Sequence, residues 1–316
     1  MTHEPHILII KHGALGDIIQ AEGALRDIRE NHPNARITVL TEPAYAKIMA
    51  RCPWVDTVIK DPRAPRWRLD LMWGLRKSLR ALDIDMVYDL QNSSRTKDYF
   101  RWFFRNTPWS GTAPGCSHPH KATNPKAIHS LKRMEGQLKD AGLTCRHTLT
   151  PNLSWLADDV SALLAEAGLK PGYILLIPGS SAAHPQKRWP YYKELAQQLI
   201  AAGHQVATAP GPDELDLCAT LPATMLTGGS FLGWFDLAGI IAQAGFVVGN
   251  DTGPSHIASH MGRPGLALFG AHTTVEKTGI RTEKFDAIEV ADLNDLTPDR
   301  VLENIRARFN AHSNSV

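Results

Sequence analysis

Short apolar runs alternate with longer amphipathic stretches along most of the chain. Residues 6–10 (His-Ile-Leu-Ile-Ile) form a compact apolar run that reads as a buried strand. A glycine-containing turn, Lys11 to Asp17, follows it. Ile18, Ala21, Leu25 and Ile28 then recur at helical spacing and predict a helix over 17–31. Further strands are expected at 37–40, 55–59 and 86–90, with helices at 43–50 and 69–82 between them. A polar turn at 91–96 leads to an aromatic-rich helix at 98–104. A loop rich in Pro, Gly, Ser and His occupies 109–125, and a helix is expected at 127–141. Residues 151–153 read as a crossing segment and 158–167 as a helix.

The alternation then starts again. Strands are expected at 173–177, 205–209, 225–226, 246–248 and 266–269. Helices are expected at 191–202, 237–244, 254–261 and 298–310. The pattern specifies an α/β protein of two consecutive doubly wound parallel-sheet domains, residues 1–160 and 161–316. Ligands are expected at the carboxyl ends of the strands and in a cleft between the domains.

Charge adds one feature. The 316 residues carry a formal net charge of +2, which gives no general affinity for nucleic acid. Arg95–Arg146, however, holds ten Lys/Arg against three Asp/Glu, a local basic stretch suited to an anionic partner. Cys52, Cys116, Cys145 and Cys218 are scattered and suggest neither a zinc site nor a disulfide framework. Glu4 and Pro5 precede the first apolar run, so no signal peptide is read, and no apolar run reaches membrane-spanning length. A cytoplasmic location is expected.

Chemistry concentrates after strand ends. In Gly249-Asn250-Asp251-Thr252-Gly253-Pro254-Ser255-His256, Gly249 and Asn250 suit a tight turn, Asp251 and Thr252 suit an N-cap, and Pro254 suits a first helical turn. The stretch offers backbone N–H groups at a helix N-terminus to an anion, or is simply a well-capped strand–turn–helix. Lys11 to Asp17 is neither a P-loop nor G-x-G-x-x-G. Asp17 there is a helix cap or a carboxylate base. The loop 179–189 carries Gly179, Ser180, Ser181, His184, Lys187 and Arg188. Lys187 is the first choice to neutralise a departing diphosphate, the alternative being a charged surface loop. Of Asp213 and Glu214, the first suits an N-cap and the second a hydrogen bond to ribose. Asp83-Ile84-Asp85 lies at the amino end of its strand, away from where ligands gather. His118, His120 and His129 lack metal-site spacing, so no metal site is expected. No G-x-S-x-G elbow is present.

Lys11-x-Gly13-x-x-Gly16-Asp17, Trp189-Pro190 and Gly249-Asn250-Asp251-Thr252-Gly253-Pro254-x-His256 together resemble glycosyltransferase family 9 over nearly the whole chain. The resemblance implies a GT-B fold of two Rossmann-like domains facing across a cleft, without a metal cofactor. The first domain takes the acceptor, the second the nucleotide sugar, and the last helix often packs back on the first. It implies Asp17 as catalytic base and Lys187 at the donor phosphates. It places Asp251, Thr252, Gly253 and His256 at the donor. From their positions after strand ends, Gly179, Ser180, Ser181 and Glu214 are also expected at the donor, and Lys11, Gly13, Gln91, Asn92 and Arg95 at the acceptor. The implied donor is ADP-heptose. The implied acceptor is an anionic sugar of the lipopolysaccharide inner core. Alternatives are a UDP or GDP donor, another envelope glycan, a Rossmann oxidoreductase, or a non-catalytic sugar-nucleotide-binding protein. Peripheral contact with the inner membrane through Trp102, Phe103, Phe104 and Trp109 competes with an aromatic core helix. Three departures stand out: the chain is short for the family, the loop before Lys187 is its own, and segment 110–125 matches no known motif.

Overall fold

Five successive buried residues make β1 (His6–Ile10) a strand covered on both faces. In this computed structural model, which describes residues 4–65, 67–121, 128–181, 184–229 and 231–313, it starts a unit extending to Trp155. The elements that follow are α1 (Leu15–Gln20), α2 (Glu22–Asn31), β2 (Arg36–Thr41), α3 (Ala46–Arg51), β3 (Thr57–Lys60) and α4 (Leu69–Arg80). They continue with β4 (Met86–Asp89), α5 (Ser94–Phe103), β5 (Trp109–Gly111), β6 (His118–Pro119) and α6 (Ser130–Asp140). All strands pair in parallel, in the order β3-β2-β1-β4-β5-β6.

The second unit runs from Leu156 and holds α7 (Ser161–Glu166), β7 (Ile174–Ile177), α8 (Tyr192–Ala201), β8 (Val206–Thr208), α9 (Leu215–Ala219) and β9 (Thr224–Met225). Then come α10 (Trp234–Gln243), β10 (Phe246–Asn250), α11 (Gly253–His260), β11 (Gly265–Phe269), α12 (Val275–Thr278), β12 (Phe285–Glu289) and α13 (Pro298–Ser313). Its sheet is again parallel, in the order β12-β11-β10-β7-β8-β9. In each sheet the first strand is central and the order reverses beside it, between β1 and β4 and between β7 and β10. Backbones diverge at such a switch point, and their carboxyl ends leave a crevice for a ligand.

Several expected elements change. The helix over 17–31 is two helices joined at Ala21, whose amide donates to Ile18 rather than one residue further back. The polar turn at 91–96 ends early, because Ser93 and Thr96 cap one another reciprocally and start α5 at Ser94. The loop at 109–125 contains β5 and β6, and its residues 122–125 lie outside the described segments. Residues 128 and 129 precede α6 rather than belonging to it, His129 capping the helix through Nδ1, and Ala127 lies outside the described segments. Elements α9, α12 and β12 were not expected. The chain divides at Trp155/Leu156, shortly before the boundary read from sequence. In α13, Val301, Leu302 and Ile305 join Leu195 and Leu199 in the second unit's core.

The aromatic stretch resolves in favour of the core. Phe103, Phe104 and Trp109 are buried with Tyr99 and Phe100, and Trp102 alone among them is exposed.

Candidate active site

In the first unit, the end of β1 turns sharply at Gly13, which adopts φ +119°. A Cβ there would also lie 2.7 Å from Asp17 Oδ2, so glycine lets the Asp17 carboxylate fold over the turn. Asp17 enters the first turn of α1 with its carboxylate half exposed. Lys11 is buried, with Nζ 3.9 Å from Asp17 Oδ1. Burial holds the Lys11 ammonium below the ordinary lysine range, and Asp17 offsets this only in part.

Behind the turn lies a buried polar network. The His12 amide donates to Gln91 Oε1, and His12 Nε2 lies 3.1 Å from Asp61 Oδ2. Asp61 also accepts from the Tyr99 hydroxyl at 2.7 Å and the Arg63 amide at 2.8 Å. Burial opposes the Asp61 charge, but these donors hold its carboxyl below the usual range. Of the residues expected at the acceptor, Asn92 donates to Gln137 and accepts from the Thr112 amide. Arg95 donates to the Ala64 carbonyl and the Tyr99 hydroxyl. In the protein alone, Gln91, Asn92 and Arg95 thus brace the segments that follow β1, β3, β4 and β5.

Asp89, the last residue of β4, is fully buried. Its Oδ1 accepts from the Gln91 and Asn92 amides, and its Oδ2 has no hydrogen-bond partner. Burial pushes its carboxyl up to about 6, against the pull of Thr96, Asn92 and Gln91. A raised acid favours the folded state below about pH 4, and that contribution is lost as pH rises through about 6. The stability difference between Asp89→Asn and wild type should therefore shift by about 3 kcal/mol in favour of the variant over that interval. Urea titrations at pH 4 and pH 7 measure it; an unchanged difference contradicts the burial argument.

In the second unit, β10 runs on through Gly249 and Asn250, which are strand residues and not the turn that sequence suggested. Glycine is needed at 249 for space, because a Cβ would lie 2.4 Å from Ser255 Oγ and 3.1 Å from Ile177 Cβ. Asn250 staples the two central strands together. Its Nδ2 donates to the Pro178 and Gly179 carbonyls, and its Oδ1 accepts from the Trp189 amide and the Tyr192 hydroxyl. Thr252 holds the N-cap position of α11 in an extended conformation, and its side chain makes no cap hydrogen bond. The first-turn amides of Gly253 and Ser255 are therefore not capped by Thr252, and the helix dipole points at the switch point.

Asp251 lies between this helix and the loop after β7. Lys187 Nζ donates to Asp251 Oδ2 at 2.6 Å and to its carbonyl at 3.2 Å. His272 Nε2 lies 3.1 Å from the same Oδ2, and His256 Nε2 3.7 Å from Oδ1. Burial works against the charge, but His256 and Lys187 hold the Asp251 carboxyl well below the usual range. Arg188 donates to the hydroxyl and the carbonyl of Ser180, which fixes the loop that presents Lys187. Ser181 is exposed. Glu214 holds the N-cap position of α9, the place sequence gave to Asp213. Its carboxylate accepts from the Gly211 amide and lies over Gly179, where a Cβ would meet Oε1 at 1.7 Å.

Sequence reasoning missed His272. It stands just after β11, whose end Gly270-Ala271 marks, and only the fold brings it to Asp251. The one group among the described residues with metal-like geometry is Asp27, Glu30 and His147. Asp27 there is already taken by the Arg146, His147 and Thr148 amides and the Thr148 hydroxyl.

The family model described as "Glycosyltransferase family 9 (heptosyltransferase)" matches residues 72–296. Lipopolysaccharide heptosyltransferase 2 of Escherichia coli (strain K12) is 27% identical over 343 residues, covering 95% of this chain and 97% of that protein. The solved structure of the glycosyl transferase family 9 from Veillonella parvula DSM 2008 matches with a TM-score of 0.83 at 18% identity, covering 96% of this chain and 97% of that one. E. coli heptosyltransferase WaaC with ADP-2-deoxy-2-fluoro heptose matches with a TM-score of 0.73 at 20% identity, covering 96% and 99%. The likeness shows the fold, two Rossmann-like units of the GT-B class.

Proposed function

Because the chain belongs to glycosyltransferase family 9 and is a glycosyltransferase, we propose that it moves a heptose from ADP-heptose to a sugar of the lipopolysaccharide inner core. The donor follows the ADP-heptose analogue bound to the E. coli structure, and the acceptor class follows the name of the E. coli relative. The observation that carries the reading is the Lys187–Asp251 pair beside the α11 N-terminus at the β7/β10 switch point.

The reaction is a single inverting displacement. The acceptor hydroxyl oxygen forms a bond to the anomeric carbon as the bond to the diphosphate oxygen breaks. Asp17 takes the hydroxyl proton. Lys187 and the Gly253 and Ser255 amides of α11 stabilise the negative charge that develops on the diphosphate. Glu214 receives the ribose hydroxyls, and His256 a phosphate or the sugar. The cation and the helix N-terminus supply the charge that a divalent metal supplies elsewhere, so transfer is metal-independent and survives exhaustive chelation.

Peripheral membrane contact is part of the proposal. No helix among the described residues is long and apolar enough to cross a membrane. Trp67 is 75% exposed and Trp73 65%, with the Arg76 guanidinium 5.2 Å from the Trp73 ring. Exposed tryptophans beside cations suit the cytoplasmic surface of an anionic bilayer.

Thermal unfolding with ADP, UDP, GDP or NAD tests the donor reading. A nucleotide at a hundred times its Kd adds about 2.7 kcal/mol. That corresponds to a rise in Tm of a few degrees for units of this size. ADP is expected to give the rise. A rise with UDP or GDP instead replaces the donor, and a rise with NAD alone overturns the transferase chemistry.

A further inference from the structure

Asp251 Oδ2 carries a second donor besides the Lys187 ammonium that balances its charge. Lys187 and His272 both converge on Oδ2, at 2.6 and 3.1 Å, while His256 lies near Oδ1. Lys187 is the most exposed of the group, at 22% of its side chain, whereas His272 is nine-tenths buried. His272 is also held in place. Its ring stacks on Phe269 with centroids 6.2 Å apart and planes 9° apart, and its buried Nδ1 has no hydrogen-bond partner. The ring is therefore committed to Asp251 through Nε2.

This arrangement solves a problem that the proposed chemistry creates. If the Lys187 ammonium is to meet a diphosphate, it has to loosen its hold on Asp251. A buried carboxylate stripped of its partner is costly, so the lysine would be retained. A second donor on the same oxygen removes that penalty. Resting on the donor reading above, we propose that His272 is a positioning residue for transfer: it keeps Asp251 Oδ2 satisfied while Lys187 is recruited by the donor diphosphate. His272 itself touches neither the sugar nor the diphosphate.

Two double-mutant cycles on the full chain test this, using Lys187→Met and His272→Phe, the second of which keeps an aromatic ring against Phe269. In the ligand-free protein, either single variant leaves Oδ2 one donor and the double variant leaves it none. The double variant is expected to lose more stability in urea than the two singles summed; simple additivity overturns the proposal. In ADP titrations, His272→Phe is expected to weaken binding by about tenfold or more with Lys187 present. It should have no effect in the Lys187→Met background, where no ammonium has to be released. His272→Gln, whose amide reaches close to the Nε2 position, should restore most of the affinity. Equal losses in both backgrounds, or no rescue by glutamine, mean a merely structural role and overturn the proposal. Wild type that shows the stability coupling but binds none of ADP, UDP and GDP overturns the donor reading, and the recruitment of Lys187 with it. Normal ADP binding by His272→Phe overturns this inference alone.

Discussion

Asp17→Asn is expected to lower turnover by about three orders of magnitude, within the range general-base catalysis contributes, while Kd for ADP changes less than about threefold. The substitution is nearly isosteric. The space left by Gly13 still accommodates the side chain, and the turn depends on the Gly13 backbone and the His12 network behind it. What disappears is the acceptor for a proton. The half-exposed carboxylate follows the carboxyl end of β1, where an incoming hydroxyl can reach it, with Lys11 Nζ 3.9 Å away. Rates of ADP release and calorimetric titration of ADP separate the two effects. Near-normal turnover would remove Asp17 from the mechanism, and a parallel loss of ADP affinity would make it a binding residue.

Lys187→Met is expected to act differently, lowering kcat by about a hundredfold or more and weakening ADP binding as well. The ammonium stands at the β7/β10 crevice, and its partner, Asp251, has other donors to fall back on. Its removal costs stability by less than the about 3–5 kcal/mol typical of breaking a buried pair, because His272 and His256 remain beside the carboxylate. Arginine at this position keeps the charge but not the compact geometry, and should recover only part of the rate. Full activity in Lys187→Met would leave charge stabilisation of the diphosphate to α11 alone.

Much of this was legible in the sequence because parallel strands buried on both faces announce themselves as apolar runs. Runs such as Ile174–Ile177 and Gly265–Phe269 are of this kind. The turns after β1, β7 and β10 carried the glycines and polar residues from which Asp17, Lys187 and Asp251 were singled out. The pairing of Lys187 with Asp251, 64 residues apart, was not legible, since it depends on how the Asn250 staple draws two strand ends together. Gly249 was read as a turn residue because its sequence context says glycine is needed without saying why. The reason is the close approach of Ser255 and Ile177. Strands β5 and β6 are three and two residues long and lie among prolines, glycines and histidines, too short for any periodicity to show. His272 gave no signal because a histidine in a loop means nothing until its neighbours are known.

The central claim is transfer of a heptose from ADP-heptose to a lipopolysaccharide-core acceptor by the chain alone. The most direct measurement incubates purified, chelator-treated protein with ADP-heptose and a heptose-deficient core acceptor, and follows both ADP release and the mass of the glycan. The expected result is one heptose added per ADP released, with no product from UDP- or GDP-sugars. ADP release without a gain in glycan mass, or transfer only from a UDP- or GDP-sugar, would contradict it.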